Sequence, residues 1–139
     1  MKTRLPILFA VLVLISSSLA CAVLGGGEPT LSNSRTALDS DGINTTSTFS
    51  LFDTVYVVSD LSNGVAGNVI SSDWYAENVD GVDPNFFIDN VEYTVSEGEN
   101  VDTIYFFFEP PDGGWPAGTY RVEVFFNGAP SATVRFTIQ

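Results

Sequence analysis

Residues 115–138 read Trp-Pro-Ala-Gly-Thr-Tyr-Arg-Val-Glu-Val-Phe-Phe-Asn-Gly-Ala-Pro-Ser-Ala-Thr-Val-Arg-Phe-Thr-Ile, and this stretch predicts two β-strands joined by a tight turn. The dipeptide Asn127-Gly128 suits a hairpin turn because both residues tolerate a positive φ angle. Apolar and polar side chains alternate along both strands, with Tyr120, Val122, Val124, Phe126, Val134, Phe136 and Ile138 opposite Arg121, Glu123, Thr133, Arg135 and Thr137. This alternation is typical of an antiparallel sheet with one buried face and one face in water.

The chain from Phe49 onward repeats the same pattern. Short β-branched and aromatic runs are separated by clusters of Gly, Pro, Asn and Asp, at the spacing of an all-β sandwich. Trp74 is predicted to pack between the two sheets, and the alternative is a tryptophan that stacks on a sugar. The predicted strands are 53–61, 67–77, 86–95, 101–109, 118–127 and 131–138, with a short first strand near 48–52.

The first part of the chain, residues 1–20, has the three regions of a signal peptide. Two basic residues precede an apolar run over residues 5–15, which is shorter than the ~20 residues of a membrane-spanning helix. Ser18-Leu19-Ala20-Cys21 resembles the lipobox of bacterial lipoproteins. The resemblance implies that the Cys21 thiol carries a diacylglyceryl group and begins the mature chain, and the alternative is ordinary signal cleavage and secretion.

Residues 21–47 are predicted to be the lipidated cysteine followed by a flexible tether. Their Gly-, Ser-, Asn- and Thr-rich composition buries too little apolar surface to offset the entropy of ordering. The alternative for the last residues of this segment is that they add an edge strand to the domain. Residues 39–44 resemble the start of a calcium loop, although a solvated turn is the favoured interpretation. Residues 48–139 then form one β-sandwich domain with one core.

The mature chain is strongly acidic. All 17 acidic residues follow the signal segment and face only Arg35, Arg121 and Arg135, which gives a formal charge of −14. Nucleic acid is therefore excluded as a partner, because phosphate binding depends on Lys and Arg. The favoured interpretation of this acidity is a soluble extracellular surface. The alternative is that some carboxylates bind divalent cations.

One loop supplies the weak calcium candidates Asp80, Asp83, Asn85 and Asp89. Together these side chains would offer the oxygen ligands that calcium prefers. The alternative is that the Asp-Gly and Asp-Pro-Asn sequences at this loop only form turns. We predict no other cofactor.

The sequence lacks the residue types that most enzyme chemistry requires. The sequence contains no histidine, which excludes a Ser-His-Asp triad and an imidazole metal site, and the mature part contains no lysine for a Schiff base. Carboxylate chemistry such as glycoside hydrolysis remains, but no signature surrounds any of the acids. We therefore predict that the protein is not an enzyme.

Aromatic residues fall on both sides of single strands. The run from Tyr105 to Phe108 and the pairs Phe86-Phe87 and Phe125-Phe126 each alternate between faces, whereas a two-sheet sandwich has only one inner face. A contiguous exposed aromatic patch would mark a partner or ligand surface. The predicted binding surface consists of Trp115, Phe107 and Phe125. The alternative is that loops cover these rings.

The segment from Trp115 to Ile138, with its Trp-Pro-x-Gly-x-Tyr start, resembles the C-terminal signature of immunoglobulin-like domains in uncharacterised bacterial lipoproteins and cell-envelope proteins. The resemblance covers about residues 48–139. It implies an all-β, immunoglobulin-like two-sheet antiparallel sandwich of about seven strands, and it implies no catalytic or ligand residues. Gly118 and Tyr120 also suit a tyrosine corner, in which the tyrosine hydroxyl bonds to upstream backbone.

Together these features predict a bacterial surface lipoprotein held at the extracytoplasmic side of a membrane by its lipid anchor. Its immunoglobulin-like domain is predicted to be a non-catalytic binding module for an envelope protein or a glycan. The alternatives are a carbohydrate-binding accessory module, or a structural spacer without a ligand.

Overall fold

The computed structural model describes residues 27–139, and every regular element in that range is a β-strand. The eight strands are β1 (Thr30–Ala37), β2 (Thr48–Phe49), β3 (Val55–Ser62), β4 (Val69–Val79), β5 (Phe86–Thr94), β6 (Thr103–Phe108), β7 (Gly118–Phe126) and β8 (Ala129–Ile138). The described range contains no helix long and apolar enough to cross a membrane.

The strands form two sheets that pack face to face. The three-stranded sheet has the order β1-β3-β6, and the five-stranded sheet has the order β2-β8-β7-β4-β5. Neighbouring strands are antiparallel, except that β2 runs parallel to β8. The two-sheet antiparallel sandwich predicted from the sequence is therefore confirmed, and it has eight strands where about seven were expected.

The hairpin at the C-terminal end forms as predicted. β7 and β8 pair from Gly118 opposite Ile138 to Phe126 opposite Ala129. The turn residues Asn127 and Gly128 have φ angles of 49° and 80°, so both adopt the left-handed conformation that a two-residue hairpin turn requires.

The N-terminal part of the domain differs from the prediction. Residues 30–37, expected within the tether, form β1, which pairs with β3 and contributes the buried side chains of Leu31 and Ala37. The sequence of β1 does not show a regular alternation of apolar and polar side chains, because a β-bulge interrupts the strand. Asn33 has a φ of 51°, and the pairing register shifts there. The predicted signal peptide, Cys21 and the tether up to residue 26 lie outside the described residues.

Trp74 on β4 lies between the sheets, with 1% of its surface exposed. Its ring packs edge-on against Phe108 of the three-stranded sheet and Phe136 of the five-stranded sheet, with centroid distances of 4.5 and 6.1 Å. The indole N–H donates a hydrogen bond to the Ser72 hydroxyl at 2.9 Å. The sugar-stacking alternative for Trp74 is wrong, because the ring is enclosed on both sides by the core.

A tyrosine corner holds the entry to β7. The Tyr120 hydroxyl donates a hydrogen bond to the Pro116 carbonyl at 2.7 Å, and its ring stacks on Phe136 with a centroid distance of 5.1 Å. Burial raises the pKa of Tyr120. Gly118 is required at the bend, because its φ is 148° and a Cβ there would lie 2.5 Å from the Asn78 carbonyl oxygen.

The corner predicts the effect of Tyr120→Phe. The variant keeps the stacked ring but leaves the Pro116 carbonyl without its donor, so we expect a loss of about 1–2 kcal/mol in the free energy of unfolding. Urea denaturation followed by Trp fluorescence measures this loss. Tyr105→Phe, at an exposed tyrosine, is the control and should change stability by less than about 0.5 kcal/mol. Equal stability of both variants would show that the corner hydrogen bond contributes nothing.

Candidate binding surfaces

Trp115 belongs to the core and not to an exposed surface. Only 7% of its surface is exposed, and its ring packs edge-on against Tyr120 at 5.6 Å. Its indole N–H donates to the Asp53 carbonyl at 2.9 Å, and its backbone N–H donates to the Leu51 carbonyl at 2.7 Å. The tryptophan therefore ties the β6–β7 connection to the β2–β3 connection, and its predicted place in a binding surface is wrong.

Phe107 is exposed and has two aromatic neighbours. Its ring stacks on Tyr56 at a centroid distance of 5.6 Å and an angle of 29°, and Tyr105 lies 6.1 and 6.3 Å from these two rings. Tyr105 is 48% exposed and Phe107 is 46% exposed. We call Tyr56, Tyr105 and Phe107 the outer aromatic cluster.

The register between β3 and β6 builds this cluster. Tyr56 lies opposite Phe107 and Val58 lies opposite Tyr105, so these side chains share the outer face of the three-stranded sheet. Val57 and Phe106 point to the inner face and join the core. Sequence reasoning missed Tyr56, because only the pairing of β3 with β6, two strands far apart in the chain, brings it to Phe107.

Phe125 lies on the other side of the molecule. It is half-buried on β7, opposite Ser71 of β4, and lines a shallow pocket of about 380 Å³ with Glu123, Pro130 and Thr133. β7 belongs to the five-stranded sheet, whereas Phe107 lies on the three-stranded sheet. The structure therefore separates Phe107, Phe125 and Trp115 into two outer faces and the core.

The outer face of the five-stranded sheet carries an ion-pair network. Arg121 bonds Glu123 at 3.1 Å and Glu77 at 3.3 Å, and Arg135 bonds Glu77 at 3.0 Å. The Arg121 guanidinium also lies 4.4 Å from the centre of the Tyr75 ring. The hydrogen bond from Arg135, with a further one from Arg121, lowers the pKa of Glu77 despite partial burial. The sequence predicted Arg121, Arg135 and Glu123 on this face, and Glu77 joins them.

Arg35 fixes the loop that follows β1. Its guanidinium donates to Asp60 at 2.9 Å and to the carbonyl oxygens of Gly42 and Asn33, each at 2.9 Å. Hydrogen bonds from Asn33 and Arg35 lower the pKa of Asp60. Together these bonds tie the loop after β1 to β3.

The segment resembling a calcium loop is a hydrogen-bonded turn. The Asp39 carboxylate accepts bonds from the backbone N–H groups of Ile43 and Asn44 at 2.9 and 3.1 Å, and from the Asn44 side chain. The carboxylate oxygen atoms are thus used in hydrogen bonds within the loop. This agrees with the solvated turn favoured from the sequence.

The other calcium candidates are dispersed. In the described range, no three carboxylate or other metal-ligating side chains come together as a group that could hold a metal ion. The Asn85 side-chain oxygen accepts a 2.7 Å bond from Arg121, and Asp89 accepts the backbone N–H of Asn90 at 2.8 Å. Asp80 and Asp83 are exposed beside the turn. The loop therefore has the geometry of the turn-forming alternative.

The three arginines leave a large excess of negative charge. Arg35, Arg121 and Arg135 are all engaged by Asp60, Glu77 and Glu123. The described part of the chain holds all 17 acidic residues of the sequence, so 14 more carboxylates than arginines remain. Any ligand that approaches the domain meets a strongly negative field.

Comparison with known proteins shows which solved structures share this fold. The chain is similar to an immunoglobulin-like protein from Pseudomonas aeruginosa, with 16% identity over 84% of this chain and 100% of that one, and a TM-score of 0.53. It is also similar to part of the alkylpurine DNA glycosylase AlkC from Pseudomonas fluorescens, with 13% identity, a TM-score of 0.50 and coverage of 82% of this chain and 31% of that one. No protein-family model and no curated protein matches the sequence.

A β-glucosidase from Listeria innocua matches at 14% identity and a TM-score of 0.48. The match covers 81% of this chain but only 16% of that enzyme. These likenesses concern the fold, because identities near 15% leave residues and chemistry free to differ. The domain is an immunoglobulin-like two-sheet sandwich.

The ion-pair network predicts a pH-dependent effect of Glu77→Gln. Because the folded-state pKa of Glu77 lies below its ordinary value, its stabilisation is present at neutral pH and is lost as pH falls through that lowered pKa. We expect the variant to be less stable than the original chain by about 1 kcal/mol at pH 7, with a difference that shrinks below about pH 4. Urea denaturation at pH 7 and pH 3 measures it. Glu92→Gln, at an exposed acid on the neighbouring β5, controls for the loss of one charge. A difference independent of pH would contradict the assignment.

Proposed function

We propose that this protein is a membrane-tethered, non-catalytic binding module that presents the outer aromatic cluster to a partner in the cell envelope. The observation that carries this proposal is the exposure of Tyr105 and Phe107, which pack with the half-buried Tyr56 on one face of the sandwich. Tyr105 and Phe107 each keep close to half of their surface in contact with water. Contiguous apolar surface of this kind marks interaction sites on soluble domains, and aromatic residues are enriched in them.

The surroundings of the cluster support its role as a contact face. Within the described residues, β6 is the edge strand of the three-stranded sheet, so the cluster lies at the edge opposite β1. Tyr and Phe rings ordered by their neighbours lose little conformational entropy on binding, because each side chain has only two χ angles. Stacking between Tyr56 and Phe107 holds the rings in place before a partner arrives.

Four acids that accept hydrogen bonds within the fold support a non-catalytic role. A glycoside hydrolase needs one carboxylic acid whose pKa is raised so that it can donate a proton. The pKa values of Asp39, Asp60, Glu77 and Glu99 are all displaced downwards, chiefly by hydrogen bonds that outweigh the effect of burial. These groups remain charged at neutral pH and serve as hydrogen-bond acceptors within the fold.

The position of β1 sets how far the module extends from its anchor. With Cys21 as the lipid-bearing residue and β1 beginning at Thr30, eight residues, 22–29, lie between them. Such a segment reaches at most about 30 Å, which is shorter than the tether expected from the sequence. The sandwich therefore stays close to the membrane surface, where its partners are other envelope components.

The cluster predicts a loss of binding in the double variant Tyr105→Ser, Phe107→Ser. We expect retention of the fluorescently labelled mature domain by native cell envelopes to fall at least about tenfold, since exposed aromatic anchors dominate interface energies. Co-sedimentation with the envelopes measures this. The matched control is Phe52→Ser, at a residue that is 69% exposed outside the cluster. Unchanged retention of the double variant, with an intact fold by circular dichroism, would rule out the cluster as the contact face.

The anchor is tested by Cys21→Ser. Intact-mass analysis of the protein from its native membrane should show a chain beginning at Cys21 with acyl groups attached. The variant should remain unprocessed or leave the membrane fraction. A freely secreted, unmodified chain would contradict the tethered part of the proposal and leave the binding face as a separate question.

A further inference from the structure

We propose that the open edge of β6 is a strand-addition site for an extended, cationic segment of another protein. This inference rests on the proposed binding function and specifies its ligand. It requires three properties of the β6 edge: backbone groups free to pair, an adjoining pocket for a side chain, and a charge that favours a basic partner.

The backbone N–H and C=O groups of successive β6 residues point alternately toward β3 and away from it. The Leu61 N–H donates to the Asp102 carbonyl at 2.9 Å, so these two opposite residues form a hydrogen-bonded pair. Such pairs alternate with non-bonded pairs along an antiparallel ladder. The N–H and C=O groups of Thr103, Tyr105 and Phe107 therefore point away from β3. Within residues 27–139, β6 pairs with β3 alone, so these groups line an open edge.

The other sheet edges are less suited to pairing. β5 carries a bulge where its register with β4 shifts, and β1 carries one at Asn33. β2 contains only two residues. Bulges and short strands are the usual means by which proteins prevent pairing at an edge. The pairing of β3 with β6 has no register shift over six residues, so this edge is straight and regular.

A groove beside β6 offers room for a side chain. It has a volume of about 370 Å³, and its lining consists of Tyr93, Glu99, Val101, Thr103, Ile104 and Tyr105. The Glu99 carboxylate at its rim is held by the Ser96 N–H at 2.9 Å and by the Tyr93 hydroxyl. A groove with aromatic and aliphatic walls and a fixed carboxylate suits the apolar stem and charged end of Lys or Arg.

The charge around the edge selects the class of partner. Asp102 immediately precedes β6 and Glu109 follows it, so acids stand at both ends as well as beside the groove. A second copy of this chain would bring the same charges together, because its formal charge is also −14 in the mature part. A neutral glycan would contact the rings but leave the ladder of backbone groups unpaired. An extended basic segment would pair with the free backbone groups, place a side chain in the groove and match the negative charge around the edge.

The test uses the mature chain and a synthetic ten-residue peptide that alternates lysine with valine and has both ends capped. Binding is followed by fluorescence anisotropy, and hydrogen exchange of the protein amides is followed by NMR. We expect saturable binding that weakens with salt, together with slowed exchange of the Thr103, Tyr105 and Phe107 amides. A peptide of the same sequence with alternate amides N-methylated, which cannot pair along its edge, should bind at least about tenfold more weakly.

Two variants locate the site. Tyr105→Pro removes one outward N–H at a position where an edge strand tolerates proline, and it should weaken binding about tenfold or more, whereas Tyr105→Val keeps the N–H and should lose less. Glu99→Gln should weaken binding of the lysine peptide about three- to tenfold, whereas the exposed neighbour Glu97→Gln should have a smaller effect. Thermal unfolding of each variant shows that the domain is intact.

Several results would overturn the inference. These are the absence of saturable binding by the original chain, equal binding of the N-methylated peptide, or unchanged exchange of the three amides. Amide protection at β6 that rises with protein concentration and accompanies dimer formation would assign the edge to a second copy. Saturable binding of a neutral β-glucan oligosaccharide at the outer aromatic cluster, with no response to the peptide, would replace the peptide with a glycan and leave the proposed binding module intact.

Discussion

The packing of Trp74 against Phe108 and Phe136 is the interaction on which the rest of this structure depends. Phe108 belongs to one sheet and Phe136 to the other, so the tryptophan joins two layers that are hydrogen-bonded within themselves. No disulfide links the sheets, because the sequence has one cysteine and it precedes the domain. Stability therefore comes mainly from apolar burial at this inner face, to which aromatic pairs add about 0.5–1.5 kcal/mol each.

Because the inner face takes one side of each sheet, the two outer faces are free to differ. On the five-stranded sheet, Arg121 and Arg135 are bound to Glu77, and this face is stabilised by its own side chains. On the three-stranded sheet, Tyr105 and Phe107 have no comparable polar cover and remain in water. β5 of the five-stranded sheet also exposes Phe86 and Phe87, so the two outer faces differ mainly in the larger ion-pair network on the five-stranded sheet.

The strand order explains why binding would concentrate at β6. The three-stranded sheet ends there, and the groove beside Glu99 opens along the same edge. An unpaired regular edge is a liability in a soluble protein, since it invites non-specific association. In the proposed strand addition, the acidic surroundings favour positively charged partners over acidic ones.

Local features of this protein were determined by the sequence alone. Alternating side chains and the Asn127-Gly128 turn defined the last hairpin, and the predicted burial of Trp74 and bonding of Tyr120 were confirmed. The hairpin and the Tyr120 hydrogen bond depend on residues close together in the chain. The burial of Trp74 follows from its large apolar side chain on a strand of alternating pattern. The tertiary structure alone decided that residues 30–37 form a strand, that Trp115 is buried, and that Tyr56 joins Phe107 while Phe125 lies on the opposite face. Each of those outcomes depends on which distant strands pair and in which register, and side-chain alternation within one strand carries no information about its partner.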